Sequence, residues 1–321
     1  MGRKLAAAVC LLLTATLWLR AQGTGRTQPS LSDIPKIDIE KFTLPNGLDV
    51  ILSENHKLPL LAVNVWYHVG PANEGPGATG FAHLFEHMMF QGSKHLPSDQ
   101  HFKTLENAGA TEINGTTSFD RTNYFETLPS NQLELALWIE SDRMGYLNID
   151  QAELDNQKDV VRNELRETHE NRPYGLAEDE VFRQLFPATH PYHAVIIGSH
   201  EDIQRADLAS VSTFWQTLYS PNNASLAIVG DIDKAQTRKL VEKYFGPLRR
   251  RGDIPVMDVR TPPVTSERRA VLQDRVELPR VLMGWITSPF FTPGDADLDI
   301  AAGILGGGPS SRLYKTLVYE K

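Results

Sequence analysis

The sequence predicts an α+β fold, and three observations carry that reading. Residues 61–69 alternate with period two, setting Val63, Val65, Tyr67 and Val69 on one face of a strand. Several longer segments carry helical patterns of apolar residues, residues 131–146 and 151–170 above all. The two kinds follow each other in uneven order, which argues against a regular parallel βαβ array. An apolar share of 41 % is enough for a real core without disulfide staples.

The amino terminus reads as an export signal. Arg3 and Lys4 precede an apolar run over residues 5–19, relieved only by Thr14 and Thr16. That run is shorter than the ~20 residues of a membrane span. Cleavage is expected near Ala21, so residues 1–22 form a signal peptide and the mature protein is secreted or periplasmic; an uncleaved anchor is the alternative. The single cysteine, Cys10, lies inside this segment, so the mature chain has none and cysteine chemistry is excluded. Such a chain suits an oxidising compartment without disulfides. The formal net charge of -8 speaks against a nucleic-acid surface, and no membrane role beyond export is expected.

Residues 23–36 are polar and rich in Gly, Ser, Thr and Pro, and read as a flexible leader. A first domain follows over residues 37–253. Residues 39–44 and 48–53 flank Pro45-Asn46-Gly47 as a hairpin, because Asn-Gly supplies the positive φ of a tight turn. After strand 61–69 comes a Gly/Pro-rich loop over 70–80, then a short helix over 81–90 that Gly92 can end. A helix over 99–108 stops at Gly109, and strands are expected over 111–119 and 123–128. Helices over 131–146, 151–170 and 202–218 precede a buried strand over 224–229 and an amphipathic helix over 234–244.

Residues 254–266, with Pro255, Pro262 and Pro263, read as a linker. Beyond it, residues 280–287 resemble a strand, Pro293-Gly294 opens a helix up to residue 305, and Gly306 to Gly308 turn into a last helix. Strand, Pro/Gly loop and helix repeat the order of the first domain. Residues 267–321 are therefore expected to be an incomplete second domain of the same type. The chain ends inside a helical pattern and reads as truncated.

The chemistry lies in His83-Leu84-Phe85-Glu86-His87. Residues four apart on an α-helix share one face, so both imidazoles can reach one ion at about 2.0–2.1 Å. Glu86 stands on the same side, where a carboxylate can take a proton from a water that the ion activates. This order inverts the commoner His-Glu-x-x-His, and the inverted form is itself a zinc-peptidase signature. Two histidines leave a catalytic site one ligand short. In the helix over 151–170, Leu154, Val161 and Leu165 define an apolar face. Glu164 lies beside it, where a carboxylate is costly unless paired or bound to metal. Glu153, Glu167 and Glu170 are expected on the solvated side. His95, His101, His190 and His193 flank prolines in loops and turns and are poorer ligand candidates.

On these residues the sequence resembles the pitrilysin family of zinc metallopeptidases, which includes insulin-degrading enzyme and mitochondrial processing peptidase. The resemblance is to its bacterial periplasmic type and runs from about Phe42 to the end. The family places a ligand Glu some seventy-odd residues after its His-x-x-Glu-His; here 76 residues separate His87 from Glu164. The resemblance implies a pitrilysin-like domain, a mostly antiparallel sheet packed with helices, and one zinc ion per chain on His83, His87 and Glu164. It also implies that residues 109–118 form an edge strand pairing with substrate backbone, with Asn114 and Gly115 at the cleavage site. Ser220-Pro221-Asn222-Asn223 and residues 306–313 also fit the family. Two departures stand out. A second Glu, common seven residues before the ligand Glu, is Gln157 here, a neutral group that can act only as a supporting hydrogen-bonder. The Arg and Tyr pair that grips substrate in relatives comes from a C-terminal part that this sequence lacks.

The reading is a zinc-dependent endopeptidase of peptides or small unfolded proteins, with Glu86 as general base. Its partners would be peptide substrates and a second peptidase-like subunit or a missing C-terminal half. The alternative is a non-catalytic peptide-binding or scaffolding subunit of a heterodimeric processing peptidase. Such subunits usually lose part of the His-Glu-His set, which is intact here.

Overall fold

A computed structural model describes residues 36–255, 259–261 and 263–320. The expected signal peptide over 1–22 and nearly all of the leader lie outside the described residues. Ile39–Lys321 groups as one unit.

Six strands form one sheet: β1 (Glu40–Thr43), β2 (Asp49–Glu54), β3 (Leu60–Tyr67), β4 (Thr111–Ser118), β5 (Arg121–Pro129) and β6 (Ala224–Gly230). Their spatial order is β1-β2-β6-β3-β5-β4. Only β2 and β6 run parallel; every other neighbouring pair is antiparallel. The hairpin turn works as read, with Gly47 at φ 93° and Leu44 N–H bonded to the Leu48 carbonyl at 2.9 Å.

Alternation decides which face is covered. In β3, Leu61, Val63, Val65 and Tyr67 are buried while their neighbours are more exposed. The register aligns Val65 with Leu226 of β6 and Tyr124 of β5, and Val63 with Ile228 and Glu126. Helices cover this apolar face, each large buried side chain contributing about 1.5–3 kcal/mol. The α-helices over residues 81–245 are α1 (Phe81–Met88), α2 (Gln100–Asn107), α3 (Leu133–Tyr146), α4 (Gln151–Leu165), α5 (Ala177–Leu185), α6 (His200–Arg205), α7 (Leu208–Leu218) and α8 (Lys234–Phe245), of which α5 buries no residue. Contacts among them include α1 against β4, β5 and α4, and α3 against β3 and α8.

One row of the core is not apolar. Glu126 is buried on β5 with neither carboxyl oxygen hydrogen-bonded. Glu140 and Arg143 of α3 are buried as well. Arg143 donates to Glu140 through Nε at 2.9 Å and through Nη2, and its guanidinium packs over Tyr124 at 4.4 Å and Phe90 at 5.2 Å. Burial, reinforced by the charge of Glu140, pushes the Glu126 carboxyl well above the usual carboxylate range.

Two expectations need correction, and one helix is new. The helix expected over 202–218 is two helices, broken at Ala206 and Asp207. Asp207 caps α7 by accepting from Ser210 N–H at 2.8 Å, and Ser210 Oγ accepts from Asp207 N–H in return, which starts a new helix. Helix α5 was not anticipated. The strand expected over 280–287 is absent: that segment runs without regular structure and finds no ladder partner among the described residues. It passes close to α5, where a Cβ on Gly284 would meet Val181 at 2.6 Å. Helix α9 (Asp295–Gly306) and the short α10 (Arg312–Tyr314) follow, with Ile300, Ile304 and Leu305 exposed. Among the described residues no helix is long and apolar enough to cross a membrane.

Candidate metal centre

Two turns of helix carry most of the centre. Helix α1 points Leu84, Phe85 and Met88 into the core and leaves His83, Glu86 and His87 on the side toward α4 and β4. Tyr124 of β5 donates its hydroxyl to the Phe85 carbonyl at 3.2 Å, tying the helix to the sheet. The imidazoles of His83 and His87 lie 4.9 Å apart, ring centre to ring centre.

Helix α4 brings the third group. Asp150 caps it by accepting from Glu153 N–H, and Leu154, Val161 and Leu165 bury its inner face. Glu164 stands next to Leu165 at the helix end, followed by a π-helical turn over Arg166–Glu170. Such turns recur at functional sites. Glu164 Oε1 is 3.7 Å from His83 Nε2, and Oε2 is 3.3 Å from His87 Nε2.

These three are the only His, Cys, Asp or Glu group among the described residues that could hold a metal, one donor atom from each lying within 4.8 Å of the others. Ligands around a tetrahedral zinc at about 2.0–2.1 Å stand about 3.3 Å apart, so the donor set fits that ion. The chemistry of the donors agrees. Burial holds the His83 imidazole down to about 4, keeping it neutral with a lone pair free. The hydrogen-bonding contact with His87 keeps the Glu164 carboxyl below its usual range, and therefore ionised. His83 is 9 % exposed while His87 and Glu164 are half-buried, so one side of the set stays open. A catalytic site with three protein ligands needs such an opening. The buried His83 Nδ1 has no hydrogen-bond partner among the described residues.

Glu86 is held beside the set but outside it. The Thr117 hydroxyl of β4 donates to Glu86 Oε2 at 2.5 Å. Burial raises the Glu86 carboxyl and this hydrogen bond opposes the rise. Gly115 lies directly over it: an added Cβ would sit 3.0 Å from Glu86 Cγ and 3.2 Å from Tyr124 Cδ1. Strand β4 is the sheet's outer edge here, with β5 on one side only. A bulge displaces its register between Thr111 and Asn114, with Glu112 at φ 54°, so the regular part beside Glu86 is Asn114 to Ser118. Asn114 is exposed and its side-chain oxygen accepts from Gly115 N–H at 2.9 Å. Gln157 is buried two turns before Glu164.

The four histidines weighed from the sequence as poorer ligands stand apart. His95 pairs with Asp142 at 2.6 Å, His101 is buried edge-on to Phe90, and His190 meets Thr261 at 3.0 Å. His193 bonds the Phe186 carbonyl. Glu167 and Glu170 are exposed as expected, whereas Glu153 is half-buried and accepts from Ser98. Thr117 and Glu74 were given no role from the sequence. Glu74 accepts from the N–H groups of Gly80 at 2.9 Å and Ala82 at 2.8 Å, at the start of α1. Thr117 sits within the edge-strand pattern and could have been found there. A cap reaching forward from a loop carries no local signature.

Comparison with known proteins agrees with this geometry. Residues 49–192 match the family model described as "Insulinase (Peptidase family M16)", and residues 205–321 match "Peptidase M16 inactive domain". The chain is 33 % identical over 301 residues to the zinc protease PqqE of Helicobacter pylori, covering 92 % of this chain and 67 % of that protein. It is 29 % identical over 244 residues to the mitochondrial-processing peptidase subunit beta of Blastocladiella emersonii, covering 74 % and 51 %. The crystal structure of a protease from Helicobacter pylori superposes with a TM-score of 0.82 at 31 % identity, covering 88 % of this chain and 69 % of that one. The first half of the periplasmic protease PqqL from Escherichia coli shares the fold, with a TM-score of 0.65 at 24 % identity over 72 % and 51 %.

Proposed function

This chain belongs to the insulinase family of peptidases, M16, and from that membership we propose that it is a zinc-dependent endopeptidase with Glu86 as its general base. The single observation that carries this is the meeting of His83, His87 and Glu164 within 4.8 Å, with Glu86 next to them and outside the set. His83, His87 and Glu164 would hold one zinc ion. Zinc bound there supplies Lewis acidity, polarising a carbonyl and acidifying water.

The chain's own residues do the rest. Glu86 accepts the proton of the attacking water and passes it to the leaving amine. Thr117 fixes the carboxylate that does so. The free edge of β4 pairs with an extended peptide through main-chain hydrogen bonds, which suits unfolded or short substrates of varied sequence. Asn114 and Gly115 then stand at the scissile bond, because a side chain at 115 would press on Glu86. Gln157 supports the α4 ligand from the helix interior. A purely scaffolding subunit needs none of this constellation, and its assembly here disfavours that reading. Export to a periplasmic or extracellular compartment follows the leader pattern. Amino-terminal sequencing of the exported protein should begin near residue 22, and a start at Met1 would refute cleavage.

The test pairs two substitutions. Glu86→Gln should keep zinc and lose cleavage of a quenched fluorogenic peptide, since an amide cannot take the proton. Glu164→Gln should lose zinc as well. Cleavage at the parental rate by zinc-loaded Glu86→Gln would sink the mechanism, and parental zinc binding by Glu164→Gln would remove Glu164 from the ligand set.

A further inference from the structure

Helix α1 is eight residues long and begins without a capping side chain of its own. Its N-cap is Gly80, at φ 88°, and that residue must stay glycine because a Cβ would lie 2.6 Å from the Ile197 carbonyl oxygen. Helices this short are marginal alone, and their first N–H groups need partners. Glu74 supplies them from outside the helix. Its two carboxylate oxygens take one N–H each, Oε2 from Gly80 and Oε1 from Ala82. Glu74 is itself set by the tight turn Pro71–Asn73, where Glu74 N–H bonds the Pro71 carbonyl and Gly70 N–H bonds Asn73.

We propose that Glu74 is a positioning residue for the metal centre: it sets the height and rotation of α1 at which His83, Glu86 and His87 face Glu164. The inference rests on the metallopeptidase reading above. Ala82 immediately precedes His83, so the grip falls one residue from the first ligand. Two bonds to two oxygens of one carboxylate fix rotation as well as position, which a single cap bond cannot. Burial pushes the Glu74 carboxyl up to about 7, and the two backbone N–H bonds oppose that rise, so the grip itself favours the ionised form, which matches the positive end of the helix. Asp202 steadies the same region by accepting from the Thr79 N–H and hydroxyl, yet it touches none of the helix's own N–H groups. Glu74 does, and it is absent from the metal-binding group itself.

The test measures metal binding alongside activity. Glu74→Gln keeps the size but offers one acceptor and sets an NH2 group against a backbone N–H. Groups that support metal ligands typically change affinity 10- to 100-fold when altered, so the zinc dissociation constant, from chelator competition, should rise about tenfold. The visible spectrum of the cobalt-substituted protein should shift, and kcat should fall with KM little changed. Glu74→Asp keeps the charge but is one methylene short, so it should show a smaller rise and serves if Glu74→Gln does not fold. Val241→Ala, which opens a cavity under α8 far from the ligands, controls for lost stability. It should leave zinc affinity and the cobalt spectrum unchanged at a comparable drop in urea midpoint. Parental affinity and spectrum in a folded Glu74→Gln or Glu74→Asp would overturn the inference, as would an equal loss in Val241→Ala. A parent that binds neither zinc nor cobalt would overturn the metallopeptidase reading itself, and this inference with it.

Discussion

The hydroxyl of Thr117 should be worth about tenfold in turnover. It donates to Glu86 Oε2 at 2.5 Å, and valine in its place keeps the shape of the side chain but cannot donate. A hydrogen bond to a charged group contributes about 1.5–3 kcal/mol. If all of that acted on the reacting geometry, kcat would fall roughly 10- to 150-fold, since about 1.4 kcal/mol is one decade of rate. Glu86 is only half-buried, so water can replace part of the lost bond, and the lower end applies. The Thr117 hydroxyl bonds Glu86 and Thr122 and none of the candidate ligands His83, His87 and Glu164, so zinc content should not change. Thr117→Ser keeps the donor and should stay within about threefold of the parent by the same reasoning. The assay is steady-state cleavage of a quenched fluorogenic peptide at equal zinc loading. A Thr117→Val protein with parental kcat would show that Glu86 is placed without the hydroxyl. Loss of zinc would show that Thr117 acts through the helix and not on the base.

Two further predictions concern the core. Arg143→Met strands Glu126 and Glu140 without their cation and should cost about 3–5 kcal/mol in urea unfolding, a large part of a typical ~5–15 kcal/mol total; a loss under about 1 kcal/mol would refute the pairing. Glu126→Gln should flatten the pH dependence of stability. With its folded carboxyl raised above the unfolded value, Glu126 contributes stability at low pH that is lost as pH rises, by up to about 1.4 kcal/mol per pH unit. Relative to the variant, the parent should therefore weaken from pH 5 to pH 8, and parallel unfolding curves would contradict this.

Much of the architecture was legible because its signals are local. Alternation in 61–69, the Asn46-Gly47 turn and Gly109 each encode geometry within a few residues, and the sheet uses them as read. The candidate metal set was legible for a related reason: helical spacing puts His83 and His87 together without any tertiary information, and Glu164 sits where an inner helix face meets its flank. What escaped depends on distant partners. Residues 280–287 carry a strand-like pattern, but a strand exists only with a neighbour to pair with, and the sequence cannot supply one. Glu126 occupies an apolar position of β5, and nothing near it in sequence announces Arg143. The break at Asp207 was available, since Asp207 and Ser210 form a capping pair; the continuous apolar pattern on either side masked it.

The position of β6 has a consequence for the order of assembly. It lies between β2 and β3, so the β1-β2 ribbon and the β3-β5-β4 ribbon are joined in the sheet only through it. Those ribbons come from residues 40–129, and β6 from residues 224–230, nearly a hundred residues later. During synthesis the chain therefore emerges with its two ribbons separate. Long-range pairing of this kind is slow, because the loop must close before its contacts repay the entropy. The histidines of α1 leave the ribosome early, but the completed sheet beneath them forms only once residue 230 is free. A chain built this way completes the floor under its candidate metal centre late, only after residues 224–230 have been made.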